Sequence, residues 1–219
     1  MFQTFNIHHV GYLLQCTSWT LLLSAIALIG GAIGGTLVAL MRLSGIVAAR
    51  WVARAYIYVV QGTPLLVVLF IAYFGIANLG YNIPPIYAAA FGFTLYASAF
   101  LGEIWRGSIQ SVSKGQWEAC KALSLGWRKS MIYVIVPQAI RVAIPPTVGF
   151  AVQVVKNTAL ASIVGFVELT RAGQIVSSAT FQPLKVYITV AAIYFVICSG
   201  LSYASRILDR KLHSYTQTN

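Results

Sequence analysis

The sequence is poor in charge and poorest in acid. Only 9% of its 219 residues are Asp, Glu, Lys or Arg, and four of them are acidic: Glu103, Glu118, Glu168 and Asp209. Soluble domains carry about 25% charged residues, so water is not this chain's main solvent. No two of the acids are close enough in sequence to form a local acid–base pair. The three histidines, His8, His9 and His213, lie at the termini, which suits solvation better than catalysis. No GxxxxGK[ST] loop, HExxH pair or GxSxG elbow occurs, so the chain has no P-loop for ATP and no signature of hydrolytic chemistry. Cys16, Cys120 and Cys198 show neither a disulfide framework nor metal-ligand spacing. We expect no catalytic site, no metal and no cofactor held by this chain.

What the chain does have is apolar length. It is 58% hydrophobic, with a mean hydropathy of +0.78. That is enough for several spans of about 20 residues and leaves little for a soluble domain. Residues 10–41 and 55–102 carry no charge at all. The second block is far longer than one span, and Asn78, Gly80, Asn82, Pro84 and Pro85 mark a turn inside it. Five spans follow, near 18–41, 55–77, 85–106, 138–156 and 186–205, giving an all-α polytopic membrane protein. Residues 1–16 form an N-terminal segment and 209–219 a tail, and the basic n-region of a cleaved leader is missing from residues 1–9. Residues 157–183, with Glu168, Arg171 and Gln174, read as a short helix outside the bilayer core.

The net charge of +11 would suggest nucleic acid in a soluble protein. Here most of the cations sit between apolar blocks, in 42–54, 106–129 and from 206 on, while the turn at 78–84 holds none. The positive-inside bias then puts the N-terminus outside and the C-terminus in the cytoplasm, and no nucleic-acid partner is expected.

Between the third and fourth spans, residues 113–137 are too polar to cross a bilayer. Ser113 followed by Gln116 has the spacing of a capping box, so a helix is expected to begin there. On that helix Trp117, Cys120 and Leu123 fall at helical spacing as an apolar ridge, flanked by Lys114, Lys121 and Arg128. Such an element suits a soluble partner; a helix lying on the membrane surface with no partner is the plainer alternative.

Several features inside the spans have two readings. Gly30, Gly31, Gly34 and Gly35 make two overlapping GxxxG patterns, which serve either packing within one chain or an interface between chains. Gln61-Gly62-Thr63-Pro64 predicts a kink, either a packing bend or exposed backbone along a pathway. Glu103 is an intramembrane acid, functional by default or paired with Arg106 or another cation. Lys156-Asn157-Thr158 ends the fourth span, where a lysine can simply snorkel.

GQWEACKALSLGWRKSMIYVIVPQAIRVAIPP resembles the EAA loop of the permease subunits of binding-protein-dependent ABC importers, and among them the polar amino-acid uptake family. YLLQCTSWTLLLS, VALMRLS, QGTPLLVVLFIAYFG, GEIWRGSIQSVSKGQWEA, KNTALASIVGFVELTRAGQ and SRILDRKL extend the similarity over about residues 11–211. The resemblance implies a type I permease fold, with residues 17–208 as the transmembrane domain, in a bacterial inner membrane. It implies a second permease subunit, identical or related, that completes the pathway. Two cytoplasmic ATPase subunits, carrying ATP and magnesium, power it, and an extracytoplasmic binding protein delivers the amino acid. Trp117, Glu118, Ala119, Cys120, Leu123 and Gly126 would then belong to a coupling helix seated on an ATPase. Glu103, Gln61, Thr63, Asn157 and Thr158 are the pathway candidates.

The match departs from the family pattern at particular residues. Cys120 replaces the second alanine of the EAA triplet, and Ser124 stands where glycine is usual, with Gly126 two residues on. Val134 and Val136 replace a more typical Ile and Leu ahead of Pro137. KNTAL replaces KDTSL, which removes an acid at Asn157 and a hydroxyl at Ala159. An ion channel or proton-coupled carrier working without an ATPase is the alternative; it would want a selectivity ring, inverted repeats or several intramembrane acids.

Overall fold

Proline and capping groups decide where the long apolar blocks begin and break. The computed structural model describes residues 4–214, with side chains as far as Ile207, and no strand occurs among them. The first helix, α1, is Ile7–Leu43. It starts well ahead of the expected span because Asn6 caps it: the Asn6 carboxamide accepts from the His8 and His9 N–H groups, and His9 Nδ1 accepts from the Asn6 N–H at 3.2 Å. Most of the expected N-terminal segment is therefore helix, and its first three residues lie outside the described part.

The block expected as a single second span is broken in two. α2, Val47–Gly62, and α3, Leu65–Asn78, meet at 104°. Pro64 has no N–H to donate and its ring pushes Thr63 out of the helical region, so Thr63 sits at φ −101°, ψ 132°. The Thr63 hydroxyl donates to the Val59 carbonyl at 2.6 Å, satisfying an acceptor that the broken helix leaves free. The expected kink is thus a full change of direction.

The remaining helices are α4, Pro85–Gln110; α5, Lys114–Ala122; α6, Trp127–Ser162; α7, Leu169–Thr180; and α8, Pro183–Ser214. Among the described residues α1, α4, α6 and α8 are long and apolar enough to cross a membrane, with α2 and α3 together a fifth candidate. Two expectations need correcting. The helix expected to start near residue 138 starts at Trp127, so the second half of the polar segment is continuous with α6. Residues Met131–Ile135 take a wider π-turn just before Pro137, with the Val136 N–H reaching back to the Met131 carbonyl. That widening lets a proline, whose ring would collide with a preceding carbonyl, ride inside one helix. At the other end α8 runs to Ser214 through part of the expected tail, and residues 215–219 lie outside the described part.

The core is built on α1 against α4. A Cβ added at Gly31 would lie 2.4 Å from Ala97 Cβ, and one at Gly35 would lie 3.0 Å from the Gly102 nitrogen. The GxxxG patterns of α1 therefore serve close helix packing within this chain. Tyr56 ties α2 to the same helix through Leu95 O at 2.8 Å and Ser98 Oγ at 2.6 Å. Phe100 stacks on Phe150 at 5.3 Å and joins α4 to α6. The outer face of α1 is apolar instead of polar: Ile26, Ile29, Ile33, Leu37 and Leu40 are all exposed at helical spacing. Apolar on both faces is the pattern of a helix solvated by lipid. α7 is a short amphipathic helix whose Leu169, Ala172 and Val176 pack on Leu13 and Cys16 of α1 and on Val186 and Val190 of α8.

Candidate coupling segment and pathway residues

α5 begins after Ser113, as the sequence predicts, but the capping box does not form. Ser113 makes no side-chain cap bond. The carboxamide of Gln116 instead accepts from Gln138 Nε2 at 3.2 Å, and the same Nε2 donates to the Val134 carbonyl at 2.9 Å. Gln116 is committed to α6, so it cannot turn back to the start of its own helix.

The apolar ridge also divides. Cys120 is 3% exposed, and Trp117 is half-buried against Val112, Met131, Ile135 and Ala139, whereas Leu123 is 73% exposed. An apolar i, i+3 pair beside an apolar patch of the same chain buries there first, because that removes most surface from water. Trp117 thus fastens α5 to α6, and Cys120, one turn on, is buried as well. The face left outward comprises Glu118, Ala119, Ala122 and Leu123, with Lys114 and Lys121 beside them and Trp127, Arg128 and Lys129 beyond the turn.

That turn lies at Ser124. Ser124 adopts φ 52°, its N–H donates to the Lys121 carbonyl at 2.9 Å, and the Leu125 N–H donates to the Cys120 carbonyl at 2.9 Å. Both bonds together are a Schellman close, in which glycine usually supplies the left-handed residue. Gly126, at φ −63°, ψ 154°, is extended and needs no such freedom. Ser124→Gly is therefore expected to stabilise the folded protein by about 1 kcal/mol, and Ser124→Val to destabilise it. Thermal unfolding of the purified protein in detergent should move upward for the first and downward for the second; a fall for Ser124→Gly would show that the serine conformation is unstrained.

The pathway candidates fall into two groups. On α4, Glu103 accepts from Arg106 Nε at 2.8 Å, through Oε2, and from Arg106 Nη2, through Oε1, while Arg42 Nε lies 3.7 Å from the same Oε2. Glu103 and Gln61 border one cavity of about 420 Å³ with Arg42, Arg54, Tyr58 and Gly62. Gln61 Nε2 donates to the Ala99 carbonyl at 3.3 Å, and Thr63 sits at the break beside it. Asn157 and Thr158 lie at the other end of the bundle, because α6 runs antiparallel to α4. Thr158 is fully buried, with its hydroxyl donating to the Val155 carbonyl at 2.7 Å.

One polar centre escapes sequence reasoning. Glu168 is fully buried at the start of α7. Its carboxylate accepts from the N–H groups of Thr170 at 2.9 Å and Arg171 at 2.8 Å, from the Tyr194 hydroxyl at 2.8 Å, and from the Thr20 hydroxyl at 3.4 Å. Thr20 Oγ1 in turn accepts the Leu169 N–H at 3.1 Å. Four donors from three helices meet at one carboxylate and hold α1, α7 and α8 together. Glu is an uncommon N-cap beside Ser, Thr, Asp and Asn, so only its place just ahead of the LTRAGQIV periodicity could have signalled the role.

Residues 31–214 match the family model described as binding-protein-dependent transport system inner membrane component. The chain is 35% identical over 212 residues to the probable glutamine ABC transporter permease protein GlnM of Bacillus subtilis, covering 97% of this chain and 96% of that one. It is 37% identical over 198 residues to the L-cystine transport system permease protein TcyB of the same organism, covering 90% and 85%. A solved structure, described as an amino acid ABC transporter with histidines, superposes with a TM-score of 0.91 at 35% identity, covering 95% of this chain and all of that one.

Proposed function

The chain belongs to the family of binding-protein-dependent transport system inner membrane components, and from that membership we propose that it is the membrane-spanning permease subunit of an ATP-driven importer for a polar or charged amino acid. On this reading it pairs with a second permease subunit, identical or related, in a bacterial cytoplasmic membrane. The N-terminus faces outward, and the end of the bundle carrying α5 faces the cytoplasm. ATP and magnesium belong to two separate ATPase subunits, and a binding protein delivers the substrate from outside.

The observation that carries the reading is the construction of α5. Its outer face is exposed among the described residues, while Trp117 and the Gln116–Gln138 bond couple its inner face to α6. A displacement of α5 by an ATPase would therefore pull on the π-turn at Met131–Ile135 and on α6 as a unit. Gln61 and Thr63 at the α2–α3 break, and Glu103 of α4 across the same cavity, are the pathway residues this motion would reach. Asn157 and Thr158 are the candidates at the outer end.

The test is copurification of the complex with a P-loop ATPase, followed by reconstitution into liposomes with the binding protein. Uptake should require ATP, and ATPase activity should rise when the loaded binding protein is added. Uptake that persists without any ATPase would favour a channel or carrier and overturn the proposal.

A further inference from the structure

Beside the Glu103 cluster lies a more polar hollow that the transport reading leaves unused. It is a cavity of about 490 Å³ between the end of α1, the start of α2 and the end of α4, and Arg42, Arg50, Arg54 and Arg106 all line it. The carboxylate within reach is that of Glu103, already held by Arg106 and Arg42. Among the described residues Arg50 donates to the Ser44 carbonyl alone, at 3.5 Å, and Arg54 lies over the Trp51 ring, 5.5 Å from its centre. Four guanidinium groups against one carboxylate leave an excess of three positive charges. Arg42 Nε is buried and, beyond the ion pair with Glu103, makes no hydrogen bond among the described residues.

The start of α2 adds to the same field. This 16-residue helix has Ile46 at its N-cap, no side-chain cap bond and no acid in its first turn. Ser44 and Val47, at the start of this helix, line the hollow, so the positive end of the helix dipole lies beside it. Forked guanidinium donors and free helix N–H groups together match the oxygens of a phosphate.

We propose that this cavity binds a phosphate group, and that the group is carried by an anionic phospholipid. The lipid source follows from the rim. Ile46, Val47, Trp51 and Val52 are all exposed on the same turns of α2 as Arg50 and Arg54. A tryptophan and aliphatic side chains beside arginines form the amphipathic edge that lies at a bilayer–water boundary, where acyl chains meet headgroups. The inference rests on the orientation given under the proposed function only in assigning the lipid to the cytoplasmic leaflet.

The full chain, purified in detergent, would be titrated with phosphatidylglycerol or phosphatidylcholine of identical acyl chains, and retained lipid counted by native mass spectrometry. Phosphatidylglycerol should be retained at about tenfold lower concentration, and Arg50→Gln with Arg54→Gln should abolish that preference. Arg128→Gln with Lys129→Gln removes the same charge elsewhere and should leave the preference intact. Arg50→Lys with Arg54→Lys keeps the charge without the fork and should retain part of it, which also guards against misfolding of the neutral pair. Equal retention of the two lipids by the natural chain, or an unchanged preference in the Arg50→Gln, Arg54→Gln protein, overturns the proposal. Inorganic phosphate that displaces phosphatidylglycerol as well as the lipid itself competes would give the site to a free anion and overturn the lipid assignment. Neither ATP nor an amino acid enters the assay, so its failure is separate from failure of the transport reading.

Discussion

Glu168→Ala should lower the stability of the folded protein by about 3–4 kcal/mol, because it strands several buried donors at once. The carboxylate receives the N–H groups of Thr170 and Arg171 and the hydroxyls of Tyr194 and Thr20, and the site is closed to solvent. Loss of the cap alone accounts for about 1 kcal/mol of that figure, and the orphaned hydroxyls and amides for the rest. Thermal unfolding in detergent is the readout, and a loss under about 1 kcal/mol would mean that the helices re-pair or that water enters the site.

Glu168→Gln separates charge from shape. Burial raises the Glu168 carboxyl above its ordinary value, with the amide and hydroxyl donors acting the other way. A folded state that holds the proton more tightly than the unfolded one loses stability as pH rises from the unfolded pKa, about 4.3, through the raised folded value. Its contribution is complete below that range. The natural protein should therefore lose stability relative to Glu168→Gln as pH rises through the weakly acidic range. The other ionisable groups facing the site, Cys16 on α1 and Tyr194 on α8, are present in both proteins. A difference between the two proteins that is flat with pH would show that Glu168 does not titrate in this window.

The apolar blocks and their number were legible because lipid-facing helices advertise themselves by length and by the absence of charge. Their ends were less so. The start of α1 depends on Asn6 and His9 closing a capping box ahead of the apolar run, and the start of α6 on a helix that tolerates Pro137 through a π-turn. Pro64 announced a bend, but the 104° angle depends on what α2 and α3 pack against. Gln116 looked like a capping partner for Ser113 until Gln138, 22 residues away, offered a bond from another helix. The family pattern left the turn open between Ser124 and Gly126, and the backbone takes the left-handed conformation at Ser124 regardless of the side chain. In the candidate site, charge placement was readable and the direction of each helix face was not. Glu103 was expected either in a pathway or with Arg106, and the structure pairs it with both Arg106 and Arg42 while leaving it at the edge of a cavity.

Glu118→Arg should reduce ATP-dependent uptake by about thirtyfold or more without altering insertion or stability. Glu118 is exposed on the outer face of α5 and has no ion-pair partner among the described residues. Substitutions at such positions change folding stability by no more than about 0.5 kcal/mol, so the folded chain should be produced normally. A docking contact is different. Reversing a charge inside an interface whose partner is arranged for the original sign costs about 2–3 kcal/mol, a loss of ATPase affinity of about thirtyfold or more that uptake should follow. Trp117→Ala should fail in another way. Trp117 is half-buried against Met131 and Ile135, so its removal loosens α5 from α6 and lowers thermal stability together with transport. The pair of results locates the joint. With Glu118→Arg, ATPase subunits should no longer copurify although the permease is intact; with Trp117→Ala, they should copurify and hydrolyse ATP while uptake falls. If both variants transport at the natural rate, the ATPase docks elsewhere and α5 is not the coupling helix.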